Sequence, residues 1–196
     1  MYKHFFKRLI DVVISFVAIV FLIIPIGIIA LIIVMTDPGP AFFKQKRFGR
    51  NRQFFQIIKF RTMKVNTPDI PTHKLTNPEQ YVTSIGKILR KTSLDELPQI
   101  FNIFVGQMSF IGPRPALWNQ TRLIKLRDKV HANDVRPGLS GWAQINGRDD
   151  ISENRKAELD GEYVNNLSFG FDCKCFFGSI VKAFKSEGVK EWNESW

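Results

Sequence analysis

The segment from Val12 to Met35, VVISFVAIVFLIIPIGIIALIIVM, is apolar apart from Ser15, Pro25 and Gly27. Its 24 residues exceed the roughly 20 that a helix needs to cross a bilayer core. A cleaved leader fits poorly, because the run is longer than the usual apolar region of about 7–15 residues and no small-residue cleavage site follows it. Lys3, Lys7 and Arg8 precede the run; Lys44, Lys46, Arg47, Arg50 and Arg52 follow it. A spanning helix concentrates lysine and arginine on its cytoplasmic side, yet here both ends are basic and favour the same face. Pro25 lacks an N–H and crowds the carbonyl four residues back, which predicts a kink or break, with Gly27 adding slack. Two readings remain open on these features: a single kinked span, and a helix that turns at Pro25 and leaves on the side it entered.

The 196-residue chain carries 28 Lys+Arg against 18 Asp+Glu, a net charge of +10. Residues 38–64, directly after the apolar run, contain eight basic residues and no acidic one. Such a block attracts anionic headgroups and phosphorylated ligands alike. Nucleic acid is disfavoured as a partner, since the chain has no helix-turn-helix, zinc-finger or RNP-type motif. With 44% apolar residues, including 18 Phe, it can bury a core, which excludes a disordered tail. Cys173 and Cys175 are too close in sequence for an ordinary bridge and too few for a zinc site.

Beyond the apolar run the pattern is α+β and mainly helical. Residues 41–61 alternate partly around Gly49-Arg50-Asn51-Arg52 and predict a small β-hairpin. Residues 65–80, with three prolines, predict a loop. Helical patterns occupy 84–91, 94–104 and 120–131, and the glycine-rich stretch 136–148 predicts a structured loop. Phe176, Phe177, Ile180, Val181 and Phe184 fall at helical spacing beside Lys174, Lys182 and Lys185. A basic amphipathic helix of this kind lies in a membrane interface or packs on the core.

The densest chemical candidate is Thr92-Ser93-Leu94-Asp95-Glu96-Leu97-Pro98-Gln99. Ser93 with Glu96 three residues on has the pattern of a capping box, and Asp95 suits the positive end of a helix. The same two carboxylates can divide labour, one attacking phosphorus while the other holds a divalent cation, on a platform that favours bound phosphate. Gly112-Pro113-Arg114-Pro115 holds an arginine between two restricted residues, ready for bidentate phosphate contact or simply a tight turn. Lys59 and Arg61, at i and i+2 on the second hairpin strand, are expected to share a face. Arg136 and Arg148 bracket the glycine-rich loop, as an anion clamp or as plain surface. P-loop, Rossmann, nucleophile-elbow and H-E-x-x-H patterns are missing, so those chemistries lack support.

These pieces together resemble the bacterial sugar transferases, the monotopic polyprenyl-phosphate phosphoglycosyl transferases. The resemblance rests on KRLIDVVISF entering the apolar run, KFRTM at 59–63, LRKTSLDELPQIFNIFVGQMSFIGPRP at 89–115 and VRPGLSGWAQINGR at 135–148, and it covers almost the whole chain. The length and single apolar segment look like a minimal catalytic form. The resemblance implies transfer of a sugar 1-phosphate from a UDP-sugar to polyprenyl (undecaprenyl) phosphate, giving polyprenyl-diphosphate-sugar and UMP. Asp95 would be the nucleophile and Glu96 the ligand of Mg²⁺ (or Mn²⁺). Lys59 and Arg114 match positions near the phosphates, and Arg90, Arg136, Arg148 and Asp160 match recurrent positions of the same substrate-binding group.

It further implies a re-entrant membrane helix over 1–37, broken at Pro25, and a catalytic domain over 38–196 on the cytosolic face of the bacterial inner membrane, with interfacial helices. The family's usual Ser-Pro is Ile24-Pro25 here. Membrane lipids, downstream glycosyltransferases and a second copy of the chain are the further partners considered. The rival readings are a membrane-anchored scaffold for anionic lipid, in which Asp95-Glu96 is only a helix cap, and a lipid-diphosphate hydrolase. The sequence does not name the sugar.

Overall fold

The computed structural model describes residues 1–68, 77–147 and 150–185. Helix α1 (Lys7–Thr36) follows a short π-turn and is the apolar run itself. Its buried positions, Asp11, Ser15, Ile26 and Ile33, fall on one narrow stripe at helical spacing, with Ala18, Ile19, Leu22, Ile29 and Ala30 packed alongside. The opposite side, including Val13, Phe16, Val20, Phe21, Ile24, Ile28 and Leu31, is exposed. An apolar surface this extensive is unsuited to water and calls for lipid around it. The expected interruption at Pro25 is not an interruption of secondary structure: α1 continues helically through it. Proline's fixed φ is compatible with a helix, and the loss of one N–H bond is tolerated in apolar surroundings where neighbours re-satisfy the backbone.

Both ends of α1 are tied to the rest of the chain. At the start, Arg8 donates to the Ile103 and Phe104 carbonyls at 2.7 and 2.8 Å, and Asp11 accepts from the Phe110 N–H. Lys7 donates to Asp172 at 2.6 Å, a carboxylate that also accepts from Tyr2 and Tyr163. At the end, Arg61 donates to the Asp37 carbonyl and pairs with its carboxylate at 3.6 Å.

The predicted hairpin is present as β1 (Phe42–Phe48) and β2 (Phe54–Phe60), antiparallel with Phe42 opposite Phe60 and Phe48 opposite Phe54. Helices α2 (Ser84–Lys91) and α3 (Gln99–Phe104) follow. Thr83 caps α2 by accepting from the Gly86 N–H. Buried Asn102 accepts from the Ile58 N–H and donates to the Gln56 carbonyl, so a side chain of α3 closes the free edge of β2. Phe60, Leu89, Ile100, Ile26 and Ile33 form the core between β2, α2, α3 and α1.

A second layer comprises β3 (Ser109–Ile111), α4 (Thr121–Lys129), β4 (Gly138–Ser140), α5 (Trp142–Ile145), α6 (Glu153–Asn165) and α7 (Phe169–Lys185). The stretch expected as a glycine-rich loop therefore contains a strand, and β4 pairs in parallel with β3. The two backbones cross closely just beyond: a Cβ on Gly112 would lie 2.5 Å from the Arg136 carbonyl oxygen and 2.9 Å from the Gly138 nitrogen. Only glycine fits there. On α7, Asp172 and Cys175 are buried, while Phe176, Phe177, Ile180 and Val181 are exposed. The apolar face predicted for this helix thus points away from the core. The loop expected over 65–80 is described only at its two ends, the second of which forms a short 3₁₀ turn, Pro78–Tyr81.

Candidate active site

The two carboxylates stand on a 3₁₀ turn, Leu94–Glu96, between α2 and α3. The chain reaches it through Ser93, whose φ of 56° is left-handed. In that conformation the Ser93 side chain makes no cap, so the expected capping box does not form. Glu96 instead turns to cations: Lys59 Nζ donates to its Oε1 at 2.6 Å and Arg114 Nη2 at 2.8 Å. Lys59 Nζ also lies 4.0 Å from the Asp95 carboxylate, and so stands beside both acids. Pro98 leads into α3 without an N–H to leave unsatisfied.

Electrostatics separates the two acids. Burial alone would raise Glu96, but the Arg114 and Lys59 charges and their hydrogen bonds outweigh it and hold the carboxyl well below the usual range. For Asp95 burial wins: its carboxyl is pushed up, although Lys59, Arg90 and Arg114 oppose the shift. Lys59 is pushed down by burial despite Glu96. Arg90 Nε donates to Thr62 Oγ1 at 2.9 Å and feels the Asp95 charge. Glu96 is a fixed anion among cations, whereas Asp95 is a desolvated carboxylate with weaker neutralisation.

Of the residues singled out from sequence, Asp95, Glu96, Lys59, Arg90 and Arg114 come together. Arg61 does not share Lys59's surroundings: β2 ends at Phe60, the alternation ends with it, and Arg61 is buried against Asp37. Arg136 donates to the Gly106 carbonyl at 2.9 Å, near Arg8 and Arg50. Asp160 is fully buried and paired with Arg127 at 2.6 Å. Arg148 lies outside the described residues.

Among the described residues no group of three or more His, Cys, Asp or Glu side chains gathers as a metal site. Two adjacent carboxylates do not make an enclosed zinc or calcium cage. They do suit Mg²⁺, which keeps several waters and takes one or two carboxylates together with substrate phosphates.

The family model described as bacterial sugar transferase matches residues 2–186. The chain belongs to this family. It is 41% identical over 155 residues to a Bacillus subtilis protein named uncharacterized sugar transferase EpsL, covering 79% of this chain and 75% of that protein. It is 36% identical over 190 residues to the UDP-glucose:undecaprenyl-phosphate glucose-1-phosphate transferase of Escherichia coli, covering 93% of this chain but only 41% of that longer protein. The exopolysaccharide production protein ExoY of Sinorhizobium fredii is 34% identical, with 93% and 87% covered.

In this bacterial sugar transferase two further arginines hold the loop that carries Arg114. Arg47 donates to the Pro115 carbonyl at 3.0 Å, and burial, aided by Arg114, pushes its guanidinium down to about 10. Arg127 donates to the Arg114 carbonyl at 2.8 Å. Arg47 belongs to the basic block after the apolar run and Arg127 to a charged helical stretch, and their partners lie far away in sequence.

Proposed function

We propose that this bacterial sugar transferase moves a sugar 1-phosphate from a UDP-sugar to polyprenyl phosphate through a covalent intermediate on Asp95. The observation that carries the reading is the division between two adjacent carboxylates, one paired through Oε1 with Lys59 and Arg114 and the other desolvated with its nearest paired cation 4.0 Å away. An Asp95 oxygen attacks the β-phosphorus of the donor. The bond from that phosphorus to the bridging oxygen breaks, and UMP leaves with the electron pair. An oxygen of polyprenyl phosphate then attacks the same phosphorus, releasing the Asp95 carboxylate and giving polyprenyl-diphosphate-sugar. Lys59, Arg90 and Arg114 are the cations near enough to hold the diphosphate and stabilise its developing charge. Glu96 would hold Mg²⁺ or Mn²⁺, which neutralises diphosphate charge when bound. The activities for which the E. coli relative and others are named support this reaction class.

The membrane arrangement belongs to the same proposal. Helix α1 enters and leaves on the cytosolic face of the inner membrane, with 38–196 as the catalytic unit and α7 lying in the interface. Support comes from Arg8 and Asp37, near opposite ends of the helix, both being tied to the same layer of β2 and α3. The exposed Phe176, Phe177, Ile180 and Val181 face supports the placement of α7. Single cysteines at Lys3 and Lys44, in a Cys173→Ser, Cys175→Ser background, are expected to react with an impermeant maleimide in inside-out vesicles and to be protected in right-side-out ones. Opposite protection of the two positions would mean a spanning helix.

The test of the reaction is UMP release by detergent- or nanodisc-held protein given Mg²⁺, undecaprenyl phosphate and a panel of UDP-sugars. Release with one of them supports the reading and names the donor; silence across the panel from folded protein counts against it. The pH profile follows from the two shifted groups. Asp95 must be ionised, so kcat/KM falls as pH drops through a value above that of an ordinary aspartate. Lys59 must be charged, so the alkaline limb lies below the ordinary lysine value. Measuring the UMP burst without acceptor keeps the acceptor's own phosphate titration out of the profile. An acid limb unchanged in position by removal of the Lys59 charge would argue that Asp95 is not the titrating group.

A further inference from the structure

The Gly112-Pro113-Arg114-Pro115 segment is held by an unusual set of contacts. Four successive carbonyls each accept from a different donor: Pro113 from the Gly138 N–H at 2.9 Å, Arg114 from Arg127 Nη1 at 2.8 Å, Pro115 from Arg47 Nη1 at 3.0 Å and Ala116 from the Phe48 N–H at 2.9 Å. Two of the four residues are prolines with no N–H to offer, so acceptors set the register of this loop. Two of the donors are backbone and two are arginines. Arg127 is 4% exposed; its Nε and Nη2 go to Asp160 Oδ2 at 2.7 and 2.6 Å, leaving Nη1 for the Arg114 carbonyl.

A buried guanidinium needs an acceptor for each of its donors, so the third contact satisfies Nη1 and what distinguishes it is where it falls; well-packed apolar residues commonly replace such a pair without loss of stability. The third contact falls on the backbone of the residue whose guanidinium holds Glu96. We propose that Arg127 and Asp160 are positioning residues: Asp160 fixes the plane of the Arg127 guanidinium, and Arg127 fixes the Arg114 backbone so that Arg114 meets Glu96. The inference rests on the reading of Arg114 and Glu96 as parts of the donor site, but the contact it concerns can be measured without turnover. Side chains of this kind have to be held within about 0.5 Å, and a misplacement of about 1 Å costs on the order of 10²-fold in rate.

Two variants test it. Arg127→Lys keeps a cation beside Asp160 but loses the planar fork that serves two acceptors at once. Arg127→Met with Asp160→Leu removes both charges and roughly keeps the volume, and is expected to fold. The readout is the side-chain ¹⁵N NMR signal of the Arg114 guanidinium, assigned with Arg114→Lys, with thermal unfolding alongside. Both variants are expected to unfold cooperatively near the wild-type temperature, with the Arg114 signal moved toward that of a solvated arginine as its contact with Glu96 slackens. UMP release is expected to fall on the order of 10²-fold in kcat/KM. An Arg114 signal that stays in place in folded variants overturns the proposal. A shifted Arg114 signal in protein that releases no UMP from any donor, wild type included, upholds the positioning device and counts against the reaction instead.

Discussion

Asp95→Asn is expected to lower UMP release by on the order of 10³-fold or more while leaving the fold intact. An amide of the same shape cannot attack phosphorus. The fold has little reason to object: the nearest ion-pair contact of Asp95 is Lys59 at 4.0 Å, and burial already disfavours its charge. Removing that charge is neutral or slightly stabilising, so activity and thermal stability should part company. The rival scaffold reading predicts the reverse, a small stability change with lipid binding preserved and no chemistry to lose. The hydrolase reading predicts inorganic phosphate release with no nucleotide sugar present.

Glu96→Gln is expected to have the second largest effect, and of a different kind. The amide keeps a hydrogen-bond acceptor for Lys59 and Arg114 but no charge, leaving two partly buried cations beside a neutral group. Breaking a fully buried pair costs about 3–5 kcal/mol. The cost here is smaller because Arg114 keeps 35% of its side chain exposed. The amide is also a poorer ligand for a divalent cation than the carboxylate it replaces. We therefore expect turnover to fall on the order of 10²-fold or more, with a weakened dependence on Mg²⁺ and a lowered unfolding temperature. Since the Glu96 carboxyl is held below its unfolded value, the stability it contributes is present at neutral pH and lost as the solution is acidified; the variant should show less of that acid sensitivity. Wild-type rate and metal dependence in Glu96→Gln would remove Glu96 from the site.

How much of this was legible in the sequence depends on how local each feature is. The hairpin and α2 were, because alternation and helical periodicity are properties of neighbouring residues. So was the unusual character of the 92–99 segment, though not its geometry. Ser93 and Glu96 have capping-box spacing, but a left-handed φ at Ser93 and two cations brought from β2 and the 112–115 loop redirect Glu96. The pairing of β3 with β4 joins three-residue strands through an intervening helix, too short and too distant for any pattern to announce. A face shared by Arg61 and Lys59 requires the strand to continue; it stops one residue earlier. Asp160 matches a recurrent position of the family, and its burial against Arg127 depends on how α4 and α6 pack, which no local pattern announces.

The central claim is a covalent bond between Asp95 and the sugar phosphate. Its most direct test is rapid mass spectrometry of the protein given a turned-over UDP-sugar and Mg²⁺ without acceptor. The account predicts a burst of UMP approaching one per protein and a sugar-phosphate adduct on the peptide containing Asp95, lost when polyprenyl phosphate is added. UMP formed only when donor and acceptor are present together, with no adduct, would contradict it.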